Sequence, residues 1–310
     1  MRLSGIDRRV VEGRRAPRIV VAALSALALS ASLLSGCAAA SSAPSTGADA
    51  DSSSTSRTPE PPRATVQPTL TVADIAAAAA EAEWSFAPDG LGEPFAVALS
   101  GGTATGEYAR TYEMGDPVGA DVNADGIVDA AIPLSQLDGN AVLELWYVWL
   151  GRGLDVAPEQ VVYPIARSTR CGDVTRSVTA VDGGLEVDII LRMPYTDDAR
   201  PCSEAGTGTL TRVVAVSEID GVAYPIQSEP VAAWGGICPP SDWLDGVEDT
   251  GISGRAAPPA SAPVVTDPDR SVALFELPGA PLVTASGASF FGFIQDDSTA
   301  AVKMHCAFAN

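Results

Sequence analysis

The chain has 310 residues and carries 39 acidic against 19 basic side chains, a net charge of −20. Such a chain is unsuited to nucleic acid, whose phosphates are bound through clusters of Lys and Arg, and its only lysine is Lys303. With 46% hydrophobic residues it can still bury a core, and an acidic surface favours solubility and draws cations.

Residues 2–18 hold six arginines, and Ile19 to Leu34 follows without a charge, dominated by Val, Ala and Leu. A basic start and an apolar run are the leading parts of a secretory signal. An ordinary membrane anchor is the rival, but this run falls short of the roughly 20 residues needed to cross a bilayer. The run ends at Leu34-Ser35-Gly36-Cys37, which resembles the lipobox of bacterial lipoproteins: a branched aliphatic residue, two small residues, then cysteine. The resemblance implies that residues 1–36 are cleaved and that Cys37 becomes the diacylated first residue. The mature protein would then sit on the extracytoplasmic face of the cell membrane. Arg8-Arg9 is followed by Val10-Val11-Glu12, which does not continue a twin-arginine motif, so general secretion is expected. Two acyl chains anchor a protein where one binds only marginally, so the membrane contact needs no protein surface.

Cleavage would remove six arginines with Asp7 and Glu12, leaving 13 basic against 37 acidic side chains and a net charge of −24. From Cys37 to Thr69 the chain is mostly Ala, Ser, Thr, Pro and Gly. That composition cannot bury a core and predicts a disordered tether, with a root-mean-square reach of roughly 30 Å.

The remainder, 70–310, reads as a β-rich domain over 70–234, a Pro/Gly-rich linker or loop over 235–263, and a C-terminal segment over 264–310. About 47 residues alone would bury little surface, so that last segment is expected to pack on the main body. Four cysteines remain, Cys171, Cys202, Cys238 and Cys306. An even number in an exported chain argues for two disulfides. Of the three possible connectivities, Cys171–Cys202 with Cys238–Cys306 is favoured, since the first pair flanks a hairpin and the second would pin the C-terminus. Zinc is the rival reading, but the chain has no Cys-x-x-Cys and a single histidine, His305.

One helix is expected, Val72 to Glu83, with Thr71 as N-cap and Asp74 in the first turn. The rest is expected to be mainly β, an antiparallel sheet or sandwich-like domain. Leu185-Glu186-Val187-Asp188-Ile189 alternates strictly, and Val178 to Val181 precedes it across Asp182-Gly183-Gly184, which predicts a hairpin. Thr209 to Val216 and Val222 to Ile226, joined through Asp220-Gly221, suggest another. In Val142 to Leu150, Leu145, Tyr147 and Trp149 share one face while Trp146, Val148 and Leu150 share the other, as in a central strand buried on both sides.

One motif carries chemistry. In Asp121-Val122-Asn123-Ala124-Asp125-Gly126-Ile127-Val128-Asp129, oxygen-bearing side chains stand at positions 1, 3, 5 and 9, with glycine at 6. Calcium takes six to eight hard oxygen ligands, and a loop of this spacing can curl around the ion. The stretch resembles the Asp-rich loops of EF-hands, dockerins and the FG-GAP repeats of integrin-type propellers. By that resemblance Asp121, Asn123, Asp125 and Asp129 are side-chain ligands and Ile127 a main-chain ligand. Position 12 is Ile132 rather than the bidentate Glu of an EF-hand, and Pro133 would break an exiting helix. Ala130 to Leu134 therefore predicts a strand, as after an FG-GAP loop. Only one copy is present, which does not make a propeller. The alternative is an Asx-rich turn without metal.

No Gly-x-Ser-x-Gly, Ser-x-x-Lys, His-Glu-x-x-His or phosphate-binding glycine loop is present. Acids such as Glu144, Glu186 and Asp188 are too numerous for any to be singled out as a glycosidase pair. Trp146, Tyr147, Trp149, Trp234 and Trp243 could make a platform for sugar rings, against the plainer reading of core packing. The sequence therefore points to a cell-envelope lipoprotein acting as a binding or structural module with a structural Ca2+ site. Its partners would be the membrane, through the lipid on Cys37, and a cell-wall glycan or envelope protein. A secreted hydrolase acting on glycan is the alternative.

Overall fold

A computed structural model of the chain describes residues 69–88, 90, 93–193, 196–238, 254–265, 271–275, 290–295 and 303–309. The expected signal segment 1–36, Cys37, the expected tether up to residue 68, and Trp243 lie outside the described residues.

Helix α1 spans Val72–Ala79. Thr71 caps it reciprocally with Asp74: the Asp74 N–H donates to Thr71 Oγ1 at 3.2 Å and the Thr71 N–H to Asp74 Oδ2 at 2.9 Å. The helix ends four residues before the expected Glu83, because tertiary donors take the carbonyls that would extend it. Trp84 Nε1 donates to the Ala79 carbonyl at 2.8 Å, and Gly102 and Leu99 N–H groups donate to Ala80 and Ala82, each at 2.9 Å. The chain turns instead into β1 (Glu83–Phe86), which pairs antiparallel with β2 (Phe95–Ala98).

Seven strands follow in one antiparallel sheet: β3 (Thr103–Thr105), β4 (Thr111–Met114), β5 (Val118–Ala120), β6 (Asp129–Asp138), β7 (Ala141–Leu150), β8 (Glu159–Gln160) and β9 (Ala166–Thr169). Their order is β3-β4-β6-β7-β8, with β5 also on β6 and β9 also on β7. A second sheet takes β10 (Val174–Val181), β11 (Gly184–Leu191), β12 (Gly208–Ile219), β13 (Val222–Glu229) and β14 (Ala233–Trp234) in chain order. Both expected hairpins are here. Val181 faces Gly184 across Asp182-Gly183, and Ile219 faces Val222 across Asp220-Gly221. Asp220 and Gly221 both have positive φ, 54° and 79°, as a two-residue primed turn requires. The third sheet holds β15 (Gly254–Arg255), β16 (Val264–Val265), β17 (Ser271–Phe275), β18 (Phe290–Gln295) and β19 (Lys303–Ala309), in the order β16-β15-β19-β18-β17.

The two faces of β7 feed two cores. Leu145, Tyr147 and Trp149 join Ile75, Trp84, Phe86 and Ile132 beneath α1 and β1. Val148 and Leu150 join Val178, Leu185, Val187, Val214 and Val216 of the second sheet, so the two large sheets pack face to face as a sandwich. A third cluster sets Tyr224, Ile226 and Trp234 against Ala256, Val265 and Phe308, and there the described part of 264–310 packs.

Pro133 lies inside β6 opposite Trp146, a place where a sheet normally rejects proline. The Trp146 carbonyl accepts from Ile165 on the far side of β7, so Trp146 and Pro133 form a non-hydrogen-bonded pair. The missing N–H of Pro133 therefore faces the neighbours on the other side, where β4 ends at Met114 and β5 begins at Val118. There the Pro133 carbonyl accepts from Gly115 N–H at 2.9 Å, and the bond that proline cannot return to Gly115 is the one forgone, at the break between β4 and β5.

Both disulfides have the favoured pairing: Cys171–Cys202 with Cα atoms 4.4 Å apart and Cys238–Cys306 at 5.8 Å. The first joins the β9–β10 turn to the β11–β12 connection, and the second ties β19 to the segment after β14. Between the sheets Arg212 is buried with no carboxylate partner among the described residues. Its guanidinium donates to the carbonyls of Ile165 (2.8 Å), Gly236 (2.9 Å) and Trp234 (3.4 Å), and burial pulls its pKa down to about 10. These carbonyls take the place of a counter-ion for the two terminal nitrogens, while Nε has no partner among the described residues.

Candidate functional site

The Asp-rich loop joins β5 to β6, and the chain leaves it as a strand. Its oxygens curl the backbone. Asp121 accepts from the N–H groups of Asp125 (Oδ1, 3.2 Å) and Gly126 (Oδ2, 3.0 Å). Asn123 Oδ1 accepts from Asp125 N–H at 3.1 Å, and Asp125 Oδ1 accepts from Ile127 N–H at 2.8 Å. Asn123 Nδ2 donates to Asp125 Oδ2 at 3.0 Å. The turn passes through left-handed conformations at Ala124 (φ 58°) and Gly126 (φ 83°), and glycine at the second spares a steric cost.

Asp121 and Asp125 are exposed and Asn123 half-buried, but Asp129 is fully buried. Its Oδ2 accepts from Val122 N–H at 2.9 Å and its Oδ1 from Gly151 N–H at 2.8 Å. A carboxylate offers about four lone-pair sites, so these bonds leave acceptor capacity on both oxygens. Burial, and then the charges of Asp125 and Asp121, push the Asp129 pKa up to about 6 against the pull of the two N–H groups. Two partners that the sequence does not advertise complete the arrangement. Gly151 follows β7, and a Cβ there would run into the Val128 carbonyl, so only glycine lets its N–H approach Asp129. Val216 of β12 donates its N–H to the Val122 carbonyl at 2.8 Å, which ties the loop to the second sheet.

The donor set is all oxygen and includes three carboxylates, the chemistry that suits calcium. Among the described residues no three His, Cys, Asp or Glu side chains gather closely enough to hold an ion, so a bound cation would have to draw the loop's carboxylates inward.

The other singled-out residues are spread through the fold. Tyr147, Trp149 and Trp234 are buried and serve as core; they cannot present a face to sugar. Glu144 accepts from Trp146 Nε1 at 3.1 Å, and Asp188 pairs with Arg176 at 3.4 Å. His305 is buried with its Nδ1 2.9 Å from the Gln227 amide nitrogen. No helix among the described residues is long and apolar enough to cross a membrane. No family model, curated protein or solved structure matches the chain.

Proposed function

We propose that the chain is a lipid-anchored, non-catalytic binding or structural module of the bacterial cell envelope, stabilised by one calcium ion in the loop 121–129. The observation that carries this is the loop: Asp121, Asn123, Asp125 and buried Asp129 bring only hard oxygens to one turn, and Asp129 feels the charges of Asp121 and Asp125. Side-chain oxygens of these four and the carbonyl of Ile127 would ligate the ion, with water filling the remaining positions. A divalent cation removes the repulsion among the carboxylates. The role is structural, because the loop connects β5 and β6 and is tied through Val216 to the facing sheet. The signal-like N-terminus and its lipobox-like end support the anchor. The partner would be an envelope protein or a cell-wall glycan, and a glycan would have to be met by side chains other than the buried aromatics.

Calcium titration of the melting temperature tests this. Extracellular sites bind at about 10⁻⁴ to 10⁻³ M, and free calcium at ten times the dissociation constant would stabilise by about 1.4 kcal/mol, a rise of about 3–5 °C for a domain of this size. Asp125→Ala should abolish most of that rise while the calcium-free protein still folds. A flat titration with no heat of binding would return the loop to an Asx-rich turn.

A further inference from the structure

We propose that the cleft between β2 and β3 is a strand-addition site for an extended, positively charged segment of another protein. The proposal rests on reading the chain as a binding module, but it needs neither calcium nor the lipid.

The chain passes from β2 to β3 through the tight turn Ser100-Gly101-Gly102-Thr103, closed by two backbone hydrogen bonds between Ser100 and Thr103, 2.9 and 3.3 Å. In a continuing hairpin the next bonded pair would be Ala98 with Thr105. Among the described residues that pair does not form. Instead β2 turns to β1 and β3 to β4, and the two strands diverge around a groove of about 520 Å³.

Hydrogen-bond phase shows what faces the groove. Leu99 N–H bonds to Ala82, so Val97 and Phe95 point their backbone groups at β1, while Ala98 and Ala96 point theirs away. Gly102 and Gly106 bond to Met114 and Arg110, so Ala104 faces β4 and Thr105 faces out. Backbone donors and acceptors of Ala98 and Thr105 thus look across the groove at each other, too far apart to bond. Two edges with no strand partner among the described residues, on opposite walls, are a ready template for a further strand.

Side chains and charge define the occupant. Ala98, Ser100, Thr103, Thr105 and Thr111 line the groove with small or hydroxyl groups, and Glu113 stands among them. Glu83 of β1 is paired opposite Ala98, and exposed Glu107 follows the end of β3. The nearby cation, Arg110, is held by Asp138 at 2.8 Å. The surround is therefore acidic, and it selects a strand carrying Lys or Arg at alternate positions. A second copy of this chain is a poor occupant, since the whole chain has a net charge of −20 and copies would repel.

The test uses the full chain and a fluorescein-labelled peptide of alternating Lys and Thr. Controls are the same peptide with proline at alternate Thr positions and a Glu–Thr peptide. Anisotropy should show binding of the Lys–Thr peptide alone, and amide exchange should slow at Ala98 and Thr105. Thr105→Pro removes an outward N–H and leaves the β3–β4 ladder bonds, so it should abolish binding. Glu113→Lys should weaken it by about tenfold or more with the melting temperature unchanged; if Thr105→Pro does not fold, this variant and the exchange map decide. The proposal is overturned if the proline peptide binds equally well, if protection falls elsewhere, if Glu113→Lys changes nothing, or if the edge is already protected by self-association. Repeating the titration in calcium and in chelator separates the two ideas: peptide binding without any calcium effect on melting sinks only the metal reading, and the reverse sinks only this one.

Discussion

Asp129, the first residue of β6, and Asp197, in the β11–β12 connection, are both fully buried acids, and their surroundings move them in opposite directions. Burial raises both. At Asp197 that push is outweighed by the N–H groups of Met193 and Thr207, the Thr207 hydroxyl and the Arg200 guanidinium, with distances of 2.8 to 3.1 Å, and its pKa falls to about 2. At Asp129 only two N–H groups oppose burial and two neighbouring carboxylates, and the pKa rises. An unfolded aspartate titrates near 3.9, so Asp197 binds protons less readily when folded. Its stabilisation is full above about pH 4 and disappears as pH falls through about 2. Asp197→Asn is therefore expected to melt lower than wild type at neutral pH, with the two melting curves converging as pH drops from about 4 to about 2. Curves that stay parallel across that window would show that the charge of Asp197 is not what holds the 192–207 connection.

Individual elements owe their limits to partners as much as to their own residues. The apolar residues on both faces of β7 are visible locally, yet those faces are buried only because α1 with β1 covers one side and the second sheet the other. Tyr147 adds a polar tie, accepting the Ala87 N–H on its hydroxyl at 2.9 Å. At the C-terminal end, β19 is joined to the residues after β14 by Cys238–Cys306, closing a separation of 68 residues. Loop-entropy reasoning gives such a crosslink about 4 kcal/mol. Replacing both cysteines by serine should lower the unfolding free energy in denaturant by about that amount, and the unreduced, denatured wild type should titrate no free thiol. Free thiols in a folded preparation, or no loss of stability in the double variant, would remove the crosslink from the account of how the third sheet is held.

For the whole molecule, the proposed anchor and the folded domain are separate matters. A diacylated Cys37 would hold the protein on the membrane through its lipid, so Cys37→Ala should leave the fold unchanged and release the protein from the membrane fraction. Retention equal to wild type would mean that something other than this cysteine anchors it. The folded part was legible where a few neighbouring residues suffice. Apolar residues on both faces announced β7 and strict alternation announced β11, Asp182-Gly183 and Asp220-Gly221 announced hairpins, Thr71 with Asp74 announced a helix start, and even cysteine parity announced the crosslinks. Periodicity, turn conformations and caps are set within a short window, so sequence alone determines them. Past the helix's end at Ala79, the carbonyls of Ala79, Ala80 and Ala82 are taken by Trp84, Gly102 and Leu99. Asp129 is placed by Gly151, 22 residues away, Arg212 by carbonyls at Ile165, Trp234 and Gly236, and the open edges of β2 and β3 by sheets diverging from one turn. Each depends on which distant groups arrive at hydrogen-bonding distance, and only the tertiary packing brings them there.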